Sequence, residues 1–327
     1  TGSRFLNGTL DMHLELQADL ADWVGKDEAL VFSTGMQANL GTVSAIAGRH
    51  TVLLLDTSDH ASIIDGARLG HARKVVRFRH QDTSDLERKI DAVPSDLGVI
   101  VVVDGVYSME GEIAELPRIV DVVRRHGGRL VVDDAHGLGT VGGGRGTGFH
   151  YGLEDDIDLV IGTFSKSLAS IGGFVAGDAE AVHFVQHNAR SMMFSAALPP
   201  GDTAAAHTAL RILRSEPERV ERLRELSARL RVRLAAAGFR TIGEGTPVVP
   251  VIIGEDTATF RMWQELVARG VYVNPVVAPA VPQGMQLLRM SVMATHDPGQ
   301  IDLAVEALVE SRDVVDRELG TADRPTC

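Results

Sequence analysis

Asp158-Leu-Val-Ile-Gly-Thr-Phe-Ser-Lys-Ser167 is a short apolar run that stops in a small polar turn. No polar residue interrupts Leu159, Val160 and Ile161, so they read as a strand covered on both faces. Lys166 comes just past that strand and ahead of Ile171-Gly172-Gly173. The chain has four lysines. Lys26 and Lys89 stand in polar or helical surface stretches, and Lys74 leads into a short strand. Only Lys166 follows a buried-looking strand. A lysine held there loses its proton more readily than one in water, and a neutral amine is a nucleophile. The plain alternative is a solvated lysine in an ordinary turn.

The same pattern repeats outward from this stretch. Val52–Leu55, Val99–Val103 and Leu130–Val132 are further unbroken apolar runs, and Ala29–Phe32 ends in Ser33-Thr-Gly-Met36. Helical spacing marks Leu10–Val24, and the stretch after Met36 reads as a helix to about Gly48. Ser84–Val93 and Leu116–Arg125 are amphipathic. This alternation predicts an α/β fold, a doubly wound and mostly parallel sheet. We place the large domain at 1–202, a connecting helix at 203–237 and a smaller α+β domain at 238–327. In the last, strands are expected at Val248–Ile253, Val271–Val273 and Leu287–Val292. Helices are expected near Thr257–Arg269 and Pro298–Arg312, and Pro275–Gly284 reads as a structured loop.

Composition removes several classes of function. A net charge of −12 and a pI of about 5.4 argue against nucleic acid or an anionic membrane as partner. The one cysteine, Cys327, forms no disulfide framework and no cysteine metal site, so no metal is expected, and the chain suits the reducing cytoplasm. No apolar run approaches membrane-spanning length, and no signal peptide is visible.

Ligands of an open parallel sheet bind beyond the carboxyl ends of its strands. Those ends supply, in order, Gly35 and Met36 at a helix N-terminus; Asp56-Thr-Ser-Asp-His60-Ala-Ser62; Asp104-Gly-Val-Tyr-Ser108; Asp133-Asp-Ala-His136; and Thr163-Phe-Ser-Lys166. Each alone has a bland reading. A glycine makes a turn, Asp133 caps a helix, His60 is a hydrogen-bonded structural residue and Ser108 a turn residue. Together they offer a phosphate cradle, an acid, two imidazoles, hydroxyls and an amine. That set matches the needs of pyridoxal phosphate (PLP). The amine forms a Schiff base, an aspartate keeps the pyridine nitrogen protonated, an imidazole stacks on the ring, and backbone amides hold the phosphate.

Thr163-Phe-Ser-Lys166, Val132-Asp-Asp-Ala-His136-Gly, Asp59-His-Ala-Ser62 and Ser108-Met-Glu-Gly111 resemble motifs of the α-oxoamine synthases, a family of fold-type I PLP-dependent transferases. Phe194-Ser-Ala-Ala-Leu-Pro-Pro200, Leu288-Arg-Met-Ser291 and Ala294-Thr-His296 extend the resemblance over essentially the whole chain. Ser3–Thr9 and Val273-Asn-Pro-Val276 look most like the bacterial serine palmitoyltransferase and 8-amino-7-oxononanoate synthase branch. The resemblance implies that Lys166 carries the cofactor and that Asp133 pairs with the pyridine nitrogen. It implies that His60 stacks on the ring and that His136 and Ser108 contact the phenolic oxygen side. Gly35, Met36 and Thr163 would hold the phosphate, with Ser195 reaching it from the partner subunit of a homodimer. Arg289 would bind the amino-acid carboxylate.

The implied reaction is the decarboxylative condensation of an amino acid, serine first, with an acyl-CoA or an acyl carrier protein thioester. Its product is an α-amino ketone, as in sphingolipid or biotin-type biosynthesis. Glycine C-acetyltransferase and 8-amino-7-oxononanoate synthase activities are the near alternatives. An aminotransferase, an aldolase or a non-catalytic partner subunit is more distant. Asp104 stands where many members carry Glu, Ala280 where many carry Thr, and Val277 where one bacterial group carries Arg. The family's N-terminal arm has no counterpart in the residues read here.

Overall fold

In the computed structural model, which describes residues 2–320, the apolar runs become neighbouring strands; Cys327 lies outside the described residues. The strands of the first part are β1 (Glu28–Phe32), β2 (Thr51–Asp56), β3 (Lys74–Phe78), β4 (Gly98–Asp104), β5 (Arg129–Asp133), β6 (Leu159–Thr163) and β7 (Gly173–Gly177). Among the described residues they form a seven-stranded sheet in the order β1-β7-β6-β5-β4-β2-β3. β7 runs antiparallel to β1 and β6, and the remaining pairs are parallel. The doubly wound, mostly parallel α/β expectation holds.

Helices cover both faces of this sheet. They are α1 (Asp11–Trp23), α2 (Gly35–Ile46), α3 (Ala61–Leu69), α4 (Thr83–Asp91), α5 (Leu116–Arg125), α6 (Thr147–Tyr151), α7 (Ala179–Asn188), α8 (Arg190–Met193) and α9 (Pro200–Ser215). On one face, Leu53, Leu55, Val102, Val131 and Ile161 pack with Ala38 and Val43 of α2, Ile63 of α3 and Val182 of α7. On the other, Leu54, Val101, Val103 and Val132 pack with Leu86 of α4 and with Ile119 and Val123 of α5. Burial on both faces is why these strands carry no alternating polar residues.

The topology also places the site. β2 leads through α3 to β3 on one side, whereas β4 leads through α5 to β5 on the other. The winding reverses between β2 and β4, the place beyond whose strand ends ligands bind in sheets of this kind.

The chain divides into two units, the second made of Ser108–Ile113 and the residues from Glu218 onward. The expected single helix over 203–237 is two helices, α9 and α10 (Glu218–Ala236). Pro217 has no N–H to donate and pushes Glu216 out of helical geometry, to φ −126° and ψ 61°. The boundary therefore falls at Pro217, and α9 packs on α1 through Ala206 and Leu210.

The second unit also holds β8 (Val248–Ile252), α11 (Asp256–Ala268), β9 (Asn274–Val276), β10 (Leu287–Ser291) and α12 (Pro298–Leu319). Its three strands are antiparallel, in the order β8-β10-β9. The strand expected at Val271–Val273 lies further on, at Asn274–Val276. Val271 instead gives its amide to the Leu266 carbonyl, closing the end of α11 after Gly270 takes φ +78°.

Candidate active site

Four strands, β2, β4, β5 and β6, and the starts of two helices, α2 and α3, deliver the part of the site that lies in the first unit. Register places Asp104 beside Asp133 and Asp133 beside Ile161, at the carboxyl ends of β4, β5 and β6. Lys166 follows three residues after β6 and is exposed, in contrast to the buried strand that leads to it. Its loop is tight. The Ala169 amide reaches back to the Lys166 carbonyl, and Ala169 takes φ +47°, a backbone that alanine rarely adopts. Lys166 lies close enough to Asp104 to act on its carboxyl electrostatically.

At the N-terminus of α2, Thr34 is the cap. Its hydroxyl accepts from the Gln37 amide and its carbonyl from the Ala38 amide. The amides of Gly35 and Met36 are left without an intrahelical partner, as at any helix start. This end of α2 sits against the end of β6. A Cβ on Gly35 would lie 2.7 Å from Thr163 Oγ1, and one on Gly173 would lie 2.7 Å from the Gly35 Cα. Glycine at both places is what brings two free amides, the Thr163 hydroxyl and, 2.9 Å further on, the Ser165 hydroxyl together. A helix N-terminus built this way suits a phosphate.

His60 is the N-cap of α3 and is exposed. Its Nδ1 lies 2.7 Å from Ser62 Oγ. Ser62 is also 2.8 Å from Asn39 Nδ2, and the same nitrogen is 2.6 Å from Asp133 Oδ2. The other oxygen of Asp133 accepts from the Ala135 amide at 3.0 Å. His136, half-buried, begins the loop after β5.

Buried carboxylates gather where the winding reverses. Asp59 accepts from the Asp56 amide at 2.8 Å and from the Asp104 amide at 3.0 Å. Burial pushes its carboxyl well up, and the neighbouring Asp56 adds to this. Burial likewise pushes Asp104 well up, reinforced by Asp133 and Asp59 and opposed by Lys166. Burial works on Asp56 in the same direction, but His80 and the amides of Ser58 and Gln81 outweigh it, and its carboxyl ends below the usual range. Asp134, next to Asp133, is pushed up to about 7, chiefly by burial with the Asp133 charge adding to it, and caps α6 through the Thr147 amide, which acts in the opposite direction.

Two of the expected site residues belong to the second unit, where they meet each other. Arg289 Nε donates to the Ser108 carbonyl at 2.6 Å. Burial holds the Arg289 guanidinium below its usual range, and among the described residues it has no acidic partner. A half-buried cation in that state suits an anionic ligand. Ser195 is hydrogen-bonded within its own chain, accepting from Gln37 Nε2 at 3.0 Å.

Lys166, His60, Asp133, His136, Gly35, Met36 and Thr163 thus all lie at the strand-end side of the first unit. Asn39 was not anticipated, and Ser62 was read only as part of the Asp59–Ser62 stretch, without a role of its own. The available signal was a polar amide flanked by Ala38 and Leu40, one turn after Gly35 on the same helix face.

The aminotransferase class I and II family model matches residues 1–308. The serine palmitoyltransferase of Sphingobacterium spiritivorum is 48% identical over 309 residues, which cover 94% of this chain and 77% of that protein. A putative 8-amino-7-oxononanoate synthase 2 of Mycobacterium tuberculosis is 42% identical over 93% of this chain and 39% of its own length. Among solved structures, a serine palmitoyltransferase with PLP as an internal aldimine superposes with a TM-score of 0.93 at 41% identity, covering 96% of this chain and 80% of that one. The Sphingomonas wittichii serine palmitoyltransferase superposes with a TM-score of 0.94 at 38% identity, covering 97% and 80%. From matching motifs, fold and relatives alike, the chain belongs to the aminotransferase class I and II family.

Proposed function

We propose that this chain is a PLP-dependent acyltransferase that condenses L-serine with a long-chain acyl-CoA. The products are an α-amino ketone, CO₂ and free CoA. The observation that carries the proposal is that Lys166, Asp133 and His60 stand at the ends of β6, β5 and β2 on one side of the same sheet, on a chain 48% identical to a serine palmitoyltransferase.

The residues present fit the cofactor. The glycine-lined start of α2 with Thr163 suits its phosphate. A buried carboxylate suits its ring nitrogen, and an amine stands past β6. When bound, PLP supplies an electron sink for charge developing at the amino-acid Cα. Lys166 Nζ would anchor it and would move the Cα proton. Asp133 would accept a hydrogen bond from the pyridine N–H, His60 would cover the ring face and His136 would serve the phenolic oxygen. For Ser108 and Arg289, both in the second unit, roles at the phenolic oxygen and the substrate carboxylate are proposed from the resemblance alone.

A panel of amino acids with acyl-CoA of varied chain length tests this. Serine with a long-chain acyl-CoA is expected to release CoA and CO₂ in equal amounts. A preference for alanine with a short dicarboxylic acyl-CoA would favour the 8-amino-7-oxononanoate synthase reading, to which the Mycobacterium relative lends weight. Absence of thioester-dependent CO₂ release with every pair would end both. Among the described residues no helix is long and apolar enough to cross a membrane. Placement in the cytoplasm is part of the proposal.

The working unit is proposed to be a homodimer in which Ser195 reaches the partner's phosphate site. Two adjoining segments, joined by the pairing of Ser3 with Ala196, leave Leu6 84% and Phe194 71% exposed. Apolar side chains so placed suit a two-fold contact. Mixing inactive Lys166→Ala with inactive Ser195→Trp should restore part of the activity, because one of the two sites in a hybrid is intact. An active monomer by light scattering at micromolar protein would refute the dimer.

A further inference from the structure

We infer that Asn39 and Ser62 are positioning residues that tie Asp133 to His60 and fix the His60 ring proton on Nε2. The inference rests on the cofactor reading above for its meaning in catalysis, but its geometry stands alone. Asn39, Ser62 and Asp133 are 4%, 1% and 4% exposed, so water does not compete for their hydrogen bonds.

The donors and acceptors can be assigned one by one. A carboxylate oxygen accepts and does not donate, so Asn39 must turn its NH₂ to Asp133 Oδ2. The second hydrogen of that NH₂ goes to Ser62 Oγ. Ser62 therefore accepts from Asn39 and keeps its single hydrogen for His60 Nδ1. The Ser62 backbone amide, which can only donate, also points at Nδ1, from 3.3 Å. Nδ1 receives from both, which leaves the ring proton on Nε2. Nε2 has no partner within the described residues, and the ring is exposed, so its N–H is offered to the open side of the site.

Asn39 Oδ1 is buried without a hydrogen-bond partner. An apolar side chain would remove that orphan but would take the buried donor from Asp133 Oδ2 and Ser62 Oγ, so the amide is kept for what it donates. What an apolar side chain could not do is donate twice. Gly35 and Asn39 are also four residues apart, so one face of α2 serves the phosphate end with its first amides and the ring-nitrogen end with Asn39.

The test compares wild type with Asn39→Ala, Ser62→Ala and the hydroxyl-retaining Ser62→Thr. Ring ¹⁵N shifts of labelled His60 are read at mildly alkaline pH with PLP removed, and the PLP dissociation constant is measured by titration. Wild type and Ser62→Thr should show Nδ1 unprotonated and Nε2 protonated. Asn39→Ala frees the Ser62 hydroxyl to turn and Ser62→Ala removes it, so only the longer amide contact of 3.3 Å still favours an unprotonated Nδ1, and both nitrogens should move part of the way toward a tautomer mixture. Asn39→Ala should also weaken PLP binding roughly tenfold or more, because Asp133 loses its buried donor. Should Asn39→Ala fail to fold, Ser62→Ala decides the tautomer alone. A protonated Nδ1 in wild type overturns the inference. So do variants that melt earlier yet keep wild-type ring shifts and PLP affinity. A wild-type protein that binds no PLP sinks the functional reading instead, while its ring shifts still decide this one.

Discussion

Lys166→Ala is expected to abolish covalent attachment of PLP and to lower turnover by at least about a thousandfold, since anchor and proton-transfer amine are lost together. The fold should survive, because Lys166 is exposed and outside the sheet. No other lysine is placed to substitute. Lys26 Nζ donates to the carbonyls of Glu154 and Ile157, Lys89 pairs with Asp85, and Lys74 starts the edge strand β3. Borohydride reduction followed by peptide mapping should mark Lys166 in the wild type and nothing in the variant. Near-normal turnover of Lys166→Ala with added PLP would mean that a different lysine is the anchor.

Asp133→Asn should retain PLP but lose roughly two to three orders of magnitude in rate, a size typical of removing one buried electrostatic group from a reacting centre. A neutral amide does not hold the pyridine nitrogen protonated, so the ring stops drawing charge from the substrate Cα. The natural carboxylate accepts from Asn39 on one oxygen and from the Ala135 amide on the other. An amide has one acceptor for these two donors and sets an NH₂ against the second. A stability loss of about 1–3 kcal/mol is therefore expected as well. Exchange of the serine Cα hydrogen in deuterated water, followed by NMR, separates the two effects. It should nearly stop in the variant at a temperature where the fold is intact, and wild-type exchange would remove Asp133 from its assigned place.

The parts of this protein that were legible in its sequence are those where one physical demand dominates. β2, β4, β5 and β6 must be apolar on both faces, and their unbroken runs of Val, Leu and Ile show it. β7 was hidden because Gly173 and Gly177 bound it. Glycine there reads as a turn, yet Gly173 is needed for close approach to Gly35. The kink at Pro217 was lost in a long run of helix-favouring Arg, Glu and Leu. Within the site, Lys166, Asp133 and His60 stood out by chemistry and place. Asn39 and Ser62 did not, because their roles depend on partners far along the chain. Asn39 meets Asp133 across 94 residues and Ser62 across 23.

Asp59 lets two strands separate inside a sheet without leaving a backbone donor unpaired. Beyond the pairing of Leu55 with Val102, β2 and β4 part, and the amides of Asp56 and Asp104 lose their ladder partners. Both residues are buried, so water does not compensate, and an orphan amide in such a place is costly. The two oxygens of Asp59 take those amides, one each, and stand in for the missing strand carbonyls. A single side chain thus ends the ladder cleanly at the point where the winding reverses.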